Sequence, residues 1–323
     1  MKFLNRRHLI KKISTVLSLF ALPGCIKIFK QKERNMSNQK KIIHHQIPTE
    51  QHWVGDGFYV HTMMQPHPNT YPMTSPFILM DYAPPKNFSS SSKQKGVGEH
   101  PHRGFETVTF AYQGEITHRD SAGGGGTIGQ GDVQWMTAAS GVVHEELHSK
   151  DFSSRGGEFE MVQLWVNLPK NKKMAAPRYQ GIKDKEFPRF SLSKNCEGRL
   201  IAGEMQNKNG PCLSHSPINV FDLTFNQTDD IEINLKKGTN TVIFVLRGQI
   251  ELENKSYSEK NLLAFSRDGE LIKLNAKAST KILVLNGDPI DEPIFAYGPF
   301  VMNTRDEIIE AINDYQSGKM GHL

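Results

Sequence analysis

Two histidines one residue apart, His100 and His102, sit in the stretch "GEHPHRGFETVTF", residues 98–110. In a strand, residues two apart project from the same face, roughly 6–7 Å from one another. Two imidazoles so placed can close on a single ion. A second pair with the same spacing follows in "SGVVHEELHS" (Ser140–Ser149), where His144 and Glu146 again share a face. On neighbouring strands the four side chains offer three imidazoles and one carboxylate inside a barrel. That donor set suits Fe(II), Mn(II), Ni(II), Cu(II) or Zn(II). A six-coordinate ion would keep two positions for water, substrate or dioxygen. A lone histidine is more often a satisfied core residue, but two alternating pairs favour a metal site.

The elements that must position these residues read as strands. From about Ile47 the chain runs through "FYVHTMM", "FETVTFAYQGEITHRD", "GTIGQGDVQWMTA", "VVHEELH" and "FEMVQLWVNL", each rich in β-branched and aromatic residues and bounded by turn formers. This cadence predicts an all-β sandwich or barrel. "SAGGGGTIGQGD" (Ser121–Asp132) reads as a hairpin connection, since it lacks the strand-then-helix setting of a phosphate loop. The turn-rich stretch Leu168–Ile182 reads as a linker to a second β series. That series echoes the first, with "FVLRGQIEL" matching "FAYQGEITH", as an internal duplication would. The end of the chain is predicted helical, with Thr304 and Glu307 as a capping box and Gly318 closing it.

Charge narrows the partners. Nine of the Lys and Arg residues and a single acid fall in residues 1–35, so the formal charge of +5 belongs to that segment and the rest is mildly acidic. No nucleic-acid partner is expected. Residues 1–35 read as a leader: Arg6-Arg7 begins a twin-arginine-type export signal, and Ile13–Leu22 is an apolar run too short to span a bilayer. Leu22-Pro23-Gly24-Cys25 looks like a lipoprotein box in which an acylated Cys25 would anchor an exported, periplasmic protein to the membrane. If translation starts at Met36 the protein is instead cytoplasmic. Cys196 and Cys212 could form one bridge, and the absence of a CxxC argues against structural zinc.

The motifs "HPHRGFETVTF", "HRDSAG", "GQGDVQWMTAASGVVHEE", Gln163–Pro169, "PRYQ" and "YGPFVMNTRDEI" together resemble the pirin family over about residues 50–320. The resemblance implies a bicupin: two tandem cupin barrels (double-stranded β-helix, jelly-roll), at 47–170 and 183–300, with a short helical tail at 301–323. It implies metal held by His100, His102, His144 and Glu146 in the first barrel, with iron(II) expected ahead of nickel, copper, manganese or zinc. Cupins at large place a ligating glutamate where Glu106 stands, so Glu106 is an alternative ligand or a support for the ligands. Pirins usually carry "PPHPHR"; here Glu99 puts an extra carboxylate near the pocket rim. The second cupin, whose histidine before His322 is His215 alone, is expected to be metal-free.

Other residues receive plainer expectations. Arg103 either supports a ligating carboxylate or lies at the surface. His118 is expected to face solvent beyond a turn, and His148 to lie past the barrel rim. Trp135 and Met136 are expected in the core, while Phe105, Phe110 and Trp135 are candidates for apolar surroundings of a substrate.

Family resemblance implies a quercetin 2,3-dioxygenase-like enzyme that takes a small aromatic substrate and dioxygen, and the protein is expected to be a monomer. Glu146 would serve as both ligand and general base. The alternative is a non-catalytic metal or redox sensor that regulates a protein partner. A third reading is a cupin binding a sugar or small acid, with isomerase chemistry.

Overall fold

The computed structural model describes residues 38–323 apart from residue 49. The expected leader at 1–35, with Cys25, lies outside the described residues.

Alternating strands close into two barrels of matching design. In the first, an antiparallel seven-stranded sheet runs in the order Arg178–Ile182, Val133–Thr137, Phe105–Gln113, Gly157–Asn167, Phe77–Phe88, Phe58–Met64, His52–Val54. Its companion is a four-stranded sheet of Gly96–His102, Val142–His148, Ile116–Asp120 and Gly125–Ile128. The second barrel repeats both counts, with the large sheet ordered Ile42–Gln46, Leu262–Phe265, Asn240–Arg247, Lys281–Gly287, Ile218–Phe225, Cys196–Ala202, Arg189–Ser193. This is the bicupin architecture expected from the resemblance. The sequence echo has a structural counterpart: Phe105–Gln113 and Asn240–Arg247 each hold third place in their sheets. Gly114 and Gly248, which end these two strands, both adopt positive φ, 81° and 74°, a conformation that favours glycine.

Period-two alternation decides what each strand face buries. Val108, Phe110 and Trp135 on the first large sheet meet Val242, Phe244 and Leu283 on the second in one apolar cluster, so the two large sheets pack face to face. Full burial of such side chains contributes about 1.5–3 kcal/mol each. The opposite faces point into the barrels. The second barrel is filled by apolar residues from both of its sheets, among them Phe221, Ile243, Ile231, Ile233, Ile272 and Leu274. In the first, Phe58, Phe88, Phe152 and Phe159 fill only one end.

Two edge strands depart from the boundaries expected from sequence. Arg178–Ile182, assigned to the linker, pairs with Val133–Thr137 of the first barrel. Ile42–Gln46, ahead of the first barrel, pairs with Leu262–Phe265 of the second. Each barrel thus borrows an edge strand from outside its own segment, and Pro177 and Gly181 disguise the first of them as a turn. The C-terminal helix Arg305–Gln316 carries its capping box, with Glu307 N donating to Thr304 Oγ1 and Thr304 N to the Glu307 carboxylate. It packs back on the first barrel around Val143, Phe300 and Ile308. Cys196 and Cys212 are both buried free thiols, so the possible bridge is not made. Among the described residues no helix is long and apolar enough to cross a membrane.

Candidate metal centre

The end of the first barrel left unfilled by apolar residues is polar. The strand Gly96–His102 lies beside Val142–His148 in antiparallel register, with His144 opposite His100. On its other side Val142–His148 pairs with Ile116–Asp120, which sets His144 opposite Asp120 and Glu146 opposite His118. Ring centroids lie 4.8 Å apart for His100 and His102, 4.2 Å for His100 and His144, and 4.9 Å for His102 and His144. The ligating atoms of His100, His102 and His144 fall within 4.8 Å of one another, and so do those of His118, His144 and Glu146.

The hydrogen bonds around these rings follow one pattern. His100 Nδ1 is 2.8 Å from Gly98 O and His102 Nδ1 is 3.3 Å from Pro299 O. A carbonyl only accepts, so both rings donate through Nδ1 and keep the Nε2 lone pair. His144 turns its Nδ1 to His118 Nδ1 at 3.3 Å, and its Nε2 is a fully buried atom with no hydrogen-bond partner. Burial, reinforced by the charge of His100, pushes His102 well below the ordinary imidazole pKa. Burial, then the charges of His102 and His100, does the same to His144. Both rings are therefore neutral at neutral pH, as metal ligands must be. An orphaned buried nitrogen beside two exposed lone pairs and a carboxylate fits a divalent transition metal.

Glu146 is 6% exposed and is held through one oxygen. Thr109 Oγ1 lies 2.9 Å from Oε1, and the Gln134 side-chain amide donates to the same atom. Its other oxygen remains for a ligand or a proton. A cavity of about 250 Å³ opens onto this group, lined by His100, His102, Glu146, Trp165, Val60 and Met161. Trp165 packs edge-on to His102 at 5.2 Å and is braced by Phe105 at 4.3 Å.

Several expectations are corrected here. Glu106 neither ligates nor supports the ligands. It shares the phase of Val108 and Phe110, so it faces the second barrel, where Trp135 Nε1 (3.1 Å), Thr137 Oγ1 (2.8 Å) and Ser214 Oγ (2.5 Å) donate to it. Arg103 is neither at the surface nor on a ligating carboxylate. It is 4% exposed, and its Nη2 reaches Asp314 Oδ2 at 2.9 Å on the C-terminal helix, a neighbour only the fold reveals. His118 is buried at 1% exposure beside His144 rather than solvent-facing, because it shares the inward phase of Ile116 and Asp120 on a strand paired with Val142–His148. His148 is likewise inside, among Phe58, Phe88, Phe152 and Phe159. Phe110 and Trp135 lie between the barrels, away from the cavity, and Met136 is core as expected. The sequence reading passed over Trp165, Thr109 and Gln134. Trp165 shares the phase of inward-facing Met161 and Gln163, a signal that was available.

Comparison with known proteins agrees with this architecture. The Pirin family model matches residues 57–166, and the model for the Pirin C-terminal cupin domain matches residues 220–321. A Pseudomonas aeruginosa protein named "Putative quercetin 2,3-dioxygenase PA2418" is 47% identical over 281 residues, covering 87% of this chain and 98% of its own. The crystal structure of a quercetin 2,3-dioxygenase from Acinetobacter baumannii is 48% identical, with a TM-score of 0.84 over 88% of this chain and 99% of that one. The nickel(II) complex of the bacterial pirin YhhW from Escherichia coli shares the fold at 18% identity, with a TM-score of 0.58 over 76% of this chain and 99% of that one.

Proposed function

The chain belongs to the pirin family, and from that premise we propose that it is a metal-dependent dioxygenase acting on flavonol-like aromatic substrates such as quercetin. One observation carries the proposal: three buried or half-buried imidazoles, occupied at Nδ1 or orphaned at Nε2, cluster within 4.8 Å with the Glu146 carboxylate beside His144, and His100, His102 and Glu146 line one largely apolar cavity. The similarity to the Acinetobacter enzyme supports the same reading.

His100, His102, His144 and Glu146 would hold the ion. Iron(II) is the proposed metal, and nickel(II), which the Escherichia pirin binds, suits the same donors. When bound, the ion supplies Lewis acidity toward a substrate hydroxyl and a meeting point for substrate and dioxygen. The protein supplies the rest. Glu146 accepts the hydroxyl proton as general base, with Thr109 and Gln134 fixing the orientation of its carboxylate. Trp165, Val60 and Met161 receive the rings and exclude water. Oxygen uptake with quercetin by natively purified, metal-loaded protein tests the proposal. Metal-loaded protein that consumes no oxygen would overturn it.

A further inference from the structure

We infer that Asp120 and His118 form a relay that fixes His144 in the tautomer with an unprotonated Nε2, and thereby set the affinity of the site for metal. The inference rests on the metal-centre reading for its second half only.

His144 cannot be oriented as its two neighbours are. His100 and His102 lie near the end of an edge strand, where the carbonyls of Gly98 and Pro299 are available to their Nδ1 atoms. The His144 strand is paired on both sides, so the nearby backbone groups are committed to the two ladders. A side chain must do the work, and His118 is the one in reach.

The direction of each bond follows from Asp120. Its Oδ1 accepts the backbone amides of Ala122 and Gly124, each at 2.9 Å, from the turn that starts the glycine-rich connection. Its Oδ2 is left for His118 Nε2 at 3.0 Å. A carboxylate only accepts, so Nε2 carries a proton, and a His118 ring with that one proton has its lone pair at Nδ1. That lone pair faces His144 Nδ1 at 3.3 Å, so His144 donates there and its Nε2 stays bare. Tyr179, stacked on His118 at 4.8 Å and 16°, holds the relay ring in plane. With both nitrogens engaged, His118 acts as a positioning residue through His144 rather than as a ligand.

Asp120→Asn tests the relay with little change of shape. The two backbone amides keep the carboxamide oxygen at the Oδ1 place, so its NH2 faces His118 Nε2 and donates. The proton on His118 then moves to Nδ1, and that of His144 to Nε2. In metal-free protein, imidazole ¹⁵N NMR is expected to show His144 Nε2 unprotonated in the wild type and protonated in Asp120→Asn. Zinc affinity, read by chelator competition, is expected to fall about 10–100-fold in the variant. A protonated His144 Nε2 in the wild type overturns the relay, and this holds even if the variant does not fold. An unchanged tautomer in folded Asp120→Asn overturns it as well. A tautomer switch with zinc affinity unchanged overturns the control of affinity. A tautomer switch in a protein that binds no zinc upholds the relay and removes the metal-centre reading instead.

Discussion

Thr109 Oγ1 lies 2.9 Å from Glu146 Oε1, a contact made across the barrel between Phe105–Gln113 and Val142–His148. Together with the Gln134 amide it holds one carboxylate oxygen. A general base needs its lone pair aimed, and loss of aim costs rate more than binding. Thr109→Val is expected to retain metal while lowering oxygen uptake with quercetin by about tenfold, equal to ~1.4 kcal/mol in the barrier. Uptake at the wild-type rate would show that Glu146 needs no such anchor.

Glu106 gives the contrasting case. Its carboxylate accepts from Trp135, Thr137 and Ser214 at 0% exposure, on the face turned away from the histidines. Glu106→Gln turns an acceptor into a donor facing donors, which costs about 1–3 kcal/mol. Urea denaturation is expected to report that loss, and elemental analysis an unchanged metal content. A variant stripped of metal would put Glu106 back among the ligands.

The buried pair Arg103–Asp314 ties the segment after His102 to the C-terminal helix. Arg103→Ala leaves the Ser140 carbonyl and Asp314 without that donor. Faster amide exchange across Arg305–Gln316 and a lower thermal midpoint are expected, with metal retained. Exchange rates unchanged in the helix would mean that the apolar contacts of Phe300 and Ile308 hold it unaided.

Lys173 introduces a pH dependence. It is 1% exposed, donates to Gly104 O, Asn167 Oδ1 and Val301 O, and burial lowers its pKa from 10.5 to about 7. Between those values the unfolded chain holds the proton more tightly than the folded one, so stability rises with pH, by at most about 1.4 kcal/mol per unit. Lys173→Met removes this contribution. Denaturation from pH 7 to 9.5 is expected to show the wild type gaining on the variant as pH rises; a constant gap would mean that Lys173 keeps its proton.

The parts legible in the sequence were those governed by spacing of two. His100 with His102, and His144 with Glu146, could be assigned to shared faces because alternation is intrinsic to a strand. The duplicated barrels could be read from repeated strand cadence and from Gly114 and Gly248. Relationships set by which sheet covers which face were hidden. Glu106 lies in the same strand as Thr109, and only the stacking of the second barrel decides that one faces Ser214 and the other Glu146. The borrowed edge strands Ile42–Gln46 and Arg178–Ile182 find partners far along the chain or across a turn-rich link. His118 was misplaced because the pairing of its strand with Val142–His148, which turns it toward His144, is a long-range relationship that the local sequence does not show.

The proposal that four side chains converge on one ion is tested most directly by elemental analysis of natively purified wild type and His144→Ala. Roughly one divalent transition metal per chain is expected in the wild type, and close to none in the variant, because His144 is the fully buried nitrogen that belongs to both His100–His102–His144 and His118–His144–Glu146. Metal retained at the wild-type level in folded His144→Ala, or a wild type that carries none even after incubation with iron(II), would contradict it.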